Sequence, residues 1–364
     1  MSGKYKIVFV AMIIIMAAAC TENKHLNANQ ECMIGSTDHK ADTLVGTIIG
    51  SAHGTESHID CMGDYLVMTS DQSHSYITLI SLQSDSIIAS FGDRGHARNE
   101  FLDVPRVPYM SNGNDYTMYC QDDIKNSTKV INLPQSINKG TCVVDTEYVH
   151  SDICQGHTTF LYSQGKGISK YDLSYDDARD NIFYPPYFIV NNGQEKHRID
   201  VFPKLIETDL SSLYFIAYAD MLRIKPDGAK VVQVFYHIDM FGIIDTESGY
   251  YRSFSMPNSY GLDFFEQLKS LDEAYKKVCI YNVDVCVTDK YIILLRDARS
   301  AHDFEEGYED SSGSEIMFFD WDANYVNTIY VTEHLKDIAF SDKQNALYAI
   351  TTNELLYRYI LDDE

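Results

Sequence analysis

The sequence predicts an all-β chain, a six-bladed β-propeller with a short helical insertion. Three observations lead there. Short apolar runs of strand length recur down the chain, polar turns separate them, and the segment Leu262–Val278 switches to a helical period. The plainest copy of the repeat is Tyr65–Thr69, Ser75–Leu82 and Ser86–Phe91, with Gln83-Ser84-Asp85 supplying turn chemistry between the last two. Three such runs make an antiparallel meander, the unit from which propeller blades are built.

The chain opens with a basic start, Lys4 and Lys6, and an unbroken apolar run, Ile7–Ala19. A bilayer-spanning helix needs about 20 apolar residues, so this run reads as a signal peptide over residues 1–19. The triplet Ala17-Ala18-Ala19 followed at once by Cys20 resembles the lipobox of bacterial lipoproteins. That resemblance implies cleavage before Cys20 and diacylation of its sulfur. Ala17 stands where the lipobox usually has Leu, so plain secretion is the alternative. Each buried CH₂ of an acyl chain contributes roughly 0.8 kcal/mol, and several chains hold a protein firmly on a membrane. Residues 20–42 are polar and aperiodic, and are expected to form the lipidated N-terminus and a flexible tether. The propeller is expected over residues 43–364.

Charge and cysteine content narrow the function classes. The formal net charge is −24, and loss of Lys4 and Lys6 on cleavage takes it to −26. A polyanion of this kind has no electrostatic reason to bind nucleic acid or an anionic lipid surface. Membrane contact is therefore expected through the lipid anchor only. Seven cysteines follow Cys20, with no C-x-x-C pair, which points to core packing or one bridge rather than a disulfide framework or zinc site.

Along the chain, Thr43–Gly50 is the expected ring-closing strand, and Tyr65–Phe91 the first blade. The second blade fits Asp115–Val149 through Tyr116–Cys120, Lys129–Leu133 and Thr141–Tyr148. The third uses Thr158–Tyr162, Gly167–Leu173 and Asn181–Val190, where Pro185-Pro186 stops any ladder. Leu213–Ala219 opens the fourth, followed by Met221–Ile224, a Lys225-Pro226-Asp227-Gly228 turn, Lys230–Tyr236, Met240–Ile244 and Tyr250–Ser255. In Leu262–Val278 apolar residues recur at three- and four-residue steps, and Ser270 to Glu273 has capping-box spacing. The fifth blade uses Cys279–Val287, Tyr291–Arg296, Glu315–Asp320 and Tyr325–Val331. The last uses Leu335–Phe340, Ala346–Thr351 and Leu355–Leu361. At roughly 40–50 residues a blade, residues 43–364 hold six.

Between the first two blades runs Phe91-Gly92-Asp93-Arg94-Gly95-His96-Ala97-Arg98-Asn99-Glu100-Phe101, with Pro105 beyond. The pattern F-G-x-x-G-x-x-x-x-E-F-x-x-x-P resembles the inter-blade segment of TolB-like and NHL-like six-bladed propellers, and in particular a family of exported bacterial lipoproteins of unknown function. The run LRIKPDGAKVV, residues 222–232, resembles the same family. The resemblance implies a lipid-anchored protein of the Gram-negative cell envelope, on the outer membrane, and supplies no activity, substrate or cofactor. Arg98-Asn99 replaces the family's usual Gly-Pro. Physically, Gly92 and Gly95 permit positive φ, and Phe101 can plug the gap between neighbouring blades.

Candidate chemistry is sparse. Arg94, His96, Arg98 and Glu100 are polar and clustered in an inter-blade connection, where propellers present ligand-binding groups. They are the ligand-binding candidates. His53, His58 and Asp60 are expected in a solvated loop rather than on a metal, because a five-residue step shares neither a helix nor a strand face. Asp320-Trp321-Asp322-Ala323-Asn324 begins like a calcium loop but lacks the later Gly and Glu, so it reads as a hairpin turn. The acidic run Asp303–Glu315 reads as a solvated loop. No nucleophile elbow or Cys/His signature is present, and no metal, cofactor or catalytic residue is assigned.

The expected function is a binding or scaffolding module for a protein, peptide or glycan, more a binder than an enzyme. Two alternatives stay open. A polysaccharide hydrolase or lyase requires two carboxylates, or a His with a metal, converging on the axis at one face. A structural subunit of an envelope complex requires a broad exposed apolar patch.

Overall fold

The structure, a computed structural model, describes residues 26–35, 42–51, 57–71, 74–111, 116–150, 157–163, 165–171, 186–202, 216–257, 262–300 and 313–361. Cys20, His53, Cys154 and nearly all of the acidic run Asp303–Glu315 lie outside them.

Six antiparallel meanders follow one another in sequence, each entered at its inner strand. Blade 1 comprises His58–Met62, Tyr65–Thr69, Ser75–Ser81 and Ser86–Asp93. Blade 2 comprises Arg106–Ser111, Thr117–Asp122, Ser127–Asn132 and Val144–Val149. Blade 3 comprises His157–Ser163, Lys166–Tyr171, Tyr187–Asn191 and Lys196–Ile199. Blade 4 comprises Asp220–Ile224, Lys230–Phe235, Met240–Asp245 and Tyr251–Ser255. Blade 5 comprises Cys279–Val287, Tyr291–Ser300, Ser314–Asp320 and Tyr325–Val331. Blade 6 takes Leu335–Ser341, Ala346–Thr351 and Leu355–Ile360 from the C-terminus, and Thr47–Ser51 from the N-terminus as its outer strand. The fold is an all-β six-bladed propeller, closed where the sequence expected.

The N-terminal segment does more than close the ring. Gln30–Met33 pairs in parallel with Tyr251–Ser255 of blade 4, and Asp42–Leu44 pairs in parallel with Tyr325–Val331 of blade 5. Three consecutive outer edges are thereby covered by one stretch of chain, which removes three unpaired strand edges. The expected flexible tether is thus corrected over its described residues 26–35. They are docked, because Leu26 and Ile34 find buried apolar partners that outweigh a polar composition.

The core lies between blades, where the apolar faces of neighbouring sheets meet. Phe188, Phe202 and Tyr251 fill the gap between blades 3 and 4, Phe241 and Phe319 that between 4 and 5, and Phe318 and Phe340 that between 5 and 6. Between blades 1 and 2 the plug is Phe101, fully buried against Ile77, Met118 and Ile131. Gly92 has φ +81°, and a Cβ there would meet the Phe101 ring at 3.2 Å. Glycine is required at that position for both reasons.

Helices occupy Asp263–Glu266 and Leu271–Lys277, within the insertion. Ser270 caps the second, accepting from the Glu273 backbone N–H at 3.1 Å. Leu133–Lys139 is a helix the strand pattern did not predict. Asn132 caps it, Pro134 begins it and Gly140 ends it at φ +61°. Residues 216–217, expected in a strand opening blade 4, are helical, and that blade opens at Asp220. The segment Asp320–Asn324 is a hairpin turn. The Asp320 carboxylate accepts from the backbone N–H groups of Asp322 and Asn324 at 2.8 and 2.9 Å.

Candidate functional site

Because each blade is entered at its inner strand, the inner strands run the same way along the axis. Residues early in those strands, His58, Asp220 and Lys336, line a cavity of about 390 Å³ at one face. Residues just past the ends of the strands, Gly63, Pro226, Thr288 and Lys343, line a cavity of about 210 Å³ at the opposite face. Asp60 and Arg223 line both, so these two side chains stand at the septum between them.

Four inner-strand side chains link consecutive blades around the axis. Arg223 of blade 4 approaches Asp284 of blade 5, Nη2 to Oδ1, at 3.3 Å. The other oxygen of Asp284 accepts from the Ile338 backbone N–H of blade 6 at 2.9 Å. Asp337 of blade 6 accepts from the Ile59 N–H of blade 1 at 2.8 Å, and its Oδ2 lies 2.7 Å from His58 Nδ1. Asp60 accepts from the Cys61 N–H at 2.7 Å. Beyond this arc, Lys170 of blade 3 pairs with Asp220 of blade 4 at 2.5 Å, and Gln233 donates to the second Asp220 oxygen at 2.6 Å.

Burial sets the protonation of this cluster. It pushes the Asp60 carboxyl up to about 7, although Arg223 and the Cys61 N–H pull the other way. Asp284 is also raised to about 7, first by burial and then by the charge of Asp337, against the opposing pull of Arg223. The hydrogen bond to Asp337 outweighs burial at His58 and holds the imidazolium above its usual range. Burial works against the Arg223 cation, yet Asp284, Asp60 and Asp337 together raise its pKa. Tyr236, also in the wall, is pushed up to about 12 by burial and the nearby Asp284. Near neutral pH the cavity thus presents carboxyl groups able to donate or accept, an imidazole whose side chain is 64% exposed and whose cationic form Asp337 favours, and a phenol. Such a lining can bind a polar ligand of either charge and can hold or release protons near pH 7. Among the described residues no three His, Cys, Asp or Glu side chains converge as metal ligands.

The structure corrects the reading of His58 and Asp60, which belong to the inner strand of blade 1 and not to a solvated loop. In His58-Ile59-Asp60-Cys61-Met62 two ionisable residues interrupt the apolar ones, which hides the strand from a reading of the sequence alone. That strand's neighbours in the ring supply the missing burial.

Arg94, His96, Arg98 and Glu100 are together in the connection from blade 1 to blade 2. None of them lines either axial cavity. Arg94 bridges to Phe101 along the backbone, Arg98 donates to the Asp145 carbonyl at 2.9 Å, and the Glu100 carboxylate accepts from the Ala97 N–H at 2.9 Å. His96 is exposed. The Glu100 carbonyl receives Lys125 Nζ at 2.7 Å and also Lys129 Nζ. Lys129 is fully buried, 4.3 Å from the centre of the Phe101 ring and 3.8 Å from Asp122. This connection leads into the start of an inner strand, so it lies on the face where the larger cavity opens.

The six described cysteines Cys32, Cys61, Cys120, Cys142, Cys279 and Cys286 are free thiols.

No protein-family model and no curated protein matches the chain. Among solved structures it is similar to a Bacteroides fragilis protein whose name marks it as a candidate for export. The TM-score is 0.52, at 12% identity over 92% of this chain and 99% of that one. A member of the DUF4221 family from Bacteroides vulgatus gives a TM-score of 0.49, at 10% identity over 89% of this chain and 99% of that one. Likeness at such identity speaks for the fold alone.

Proposed function

We propose that this chain is an extracytoplasmic binding module, lipid-anchored through Cys20, whose axial cavity takes a small polar ligand or the end of a peptide or glycan. The observation that carries this reading is the cavity of about 390 Å³ on the axis, lined by charges of both signs from successive inner strands. The exported lipoprotein family that the inter-blade motif resembles accords with it, as does the signal-like N-terminus. Arg94, His96, Arg98 and Glu100, at the same face, form a second contact zone for a ligand larger than the cavity.

One observation favours a second reading, a hydrolase or lyase. Asp60, Asp284 and Asp337 converge on one cavity, the sign that reading required. We place binding first because Asp284 and Asp337 each accept a backbone N–H of the next blade, a use that ties the ring together.

A thermal-shift screen of oligosaccharides and short peptides tests both. Binding predicts hits whose stabilising shift is lost in Tyr236→Phe or His58→Ala and kept when Lys343, on the opposite face, is changed to Ala. Shifts that survive both cavity variants would sink the axial site. Conversion of a hit by the wild-type protein would favour the enzyme.

A further inference from the structure

Leu26, the first described residue, is 2% exposed and packs with Val201, Phe202 and Tyr251 between blades 3 and 4. The backbone is fastened from there on. The Asn27 N–H donates to the Val201 carbonyl at 2.7 Å, just past the outer strand of blade 3. The Asn29 N–H donates to the Tyr251 carbonyl at 2.9 Å, and the Asn29 side chain accepts the Tyr251 N–H at 2.8 Å, on the outer strand of blade 4. The chain therefore joins the disc at its rim, in the crevice between two outer edges.

Five residues, Thr21–His25, separate Cys20 from Leu26. Whatever their conformation, the six steps from Cys20 to Leu26 span at most about 22 Å. The polar headgroup layer of one leaflet takes up roughly 5–8 Å of that reach. We propose, resting on the lipid-anchor reading, that the rim at blades 3 and 4 sits against the bilayer surface, and that blades 1 and 6 point away from it. Two exposed side chains flank the docked segment, Tyr250 at 44% and Met33 at 77%. An amphipathic ring and a flexible thioether suit the interfacial layer. A chain of formal charge −26 after cleavage before Cys20 is repelled by anionic headgroups, so the surface this rim fits is zwitterionic. Resting on its edge, the disc keeps the mouths of both axial cavities clear of the membrane.

The test uses the full chain, produced in a lipoprotein-processing host and reconstituted in vesicles of phosphatidylcholine and phosphatidylethanolamine. The photoreactive residue p-benzoylphenylalanine replaces Tyr250 in one variant and Ile87 in another. Ile87 is 63% exposed on the outer strand of blade 1, across the ring. Lipid adducts, read by mass spectrometry, are expected to be several-fold more abundant at position 250. Lengthening the tether by about twenty Gly/Ser residues is expected to bring the two yields together. Equal yields with the natural tether, or more at position 87, would overturn the orientation while leaving the anchor standing. A protein with no acyl mass on Cys20 that fails to float with vesicles would remove the anchor, and this proposal with it.

Discussion

Lys129 and Arg223 are both cations taken into the ring, and their surroundings differ completely. Lys129 is sealed. Its ammonium donates to the Glu100 carbonyl and lies 3.8 Å from the Asp122 carboxylate and over the ring of Phe101, the wedge between blades 1 and 2, with none of the side chain exposed. Arg223 faces three carboxylates, yet its nearest ion-pair contact is 3.3 Å long, and space opens on both sides of it. Burial lowers the Lys129 pKa, while the carboxylates around Arg223 raise its own. A charge sealed from solvent against its partners is an architectural part. One held in an open, polar, partly protonated setting is available to something else.

If that contrast holds, substitutions in the wedge should cost stability and those on the axis should change titration and binding. The largest loss is expected for Phe101→Ala, which empties the gap between blades 1 and 2 and should cost about 4 kcal/mol in a denaturant titration. Lys129→Met keeps most of the volume, leaves the Glu100 carbonyl to Lys125 alone, and removes the cation that faces the buried Asp122 carboxylate. About 3 kcal/mol is expected, and a change under about 0.5 kcal/mol would show that the buried ammonium adds no stability to the wedge. Asp337→Asn keeps an acceptor for the Ile59 N–H and loses the charge facing His58. A cost of about 1–2 kcal/mol is expected, with the His58 titration followed by NMR moving down toward its ordinary range.

Asp284→Asn, read through its pH dependence, is the most discriminating. With its carboxyl at about 7 against the ordinary 3.8, the folded chain keeps this proton over a range where the unfolded chain has released it. The contribution is therefore fully present below about pH 4 and is lost as pH rises through about 7. Asp284→Asn should remove that slope, so its stability relative to wild type rises between pH 4 and 8. The comparison has to be a difference between the two proteins, since acidification also relieves the self-repulsion of a polyanion. A parallel pair of stability curves would mean that Asp284 ionises normally, and the axial cluster would lose its special character.

The same two regions show how far a sequence can be read. The wedge is local in the chain. Gly92, Glu100 and Phe101 lie within one short connection, and each residue has a conformational or packing reason to be there. The axial cluster is scattered over four inner strands, and each member alone is one polar residue in a strand. A signal was present, in Ile59-Asp60-Cys61, Val283-Asp284-Val285 and Lys336-Asp337-Ile338. An aspartate repeats in the first strand of three blades, in mainly apolar company. Its meaning depends on ring closure, which brings those strands side by side. The helix Leu133–Lys139 went unread for another reason. Its capping residues Asn132, Pro134 and Gly140 are clear, but Lys129–Leu133 reads as a strand up to its first turn.

The partner of Gln30 is Arg252, and that of Thr47 is Arg358. Contacts so distant in sequence delay assembly, because the intervening loop must be closed before the pairing stabilises anything. A ribosome makes residues 47–51 long before residues 355–358, so their hydrogen-bonding edge is not complete until those have emerged. Until then the early strands remain adhesive, and the ring closes in a single late, cooperative locking event.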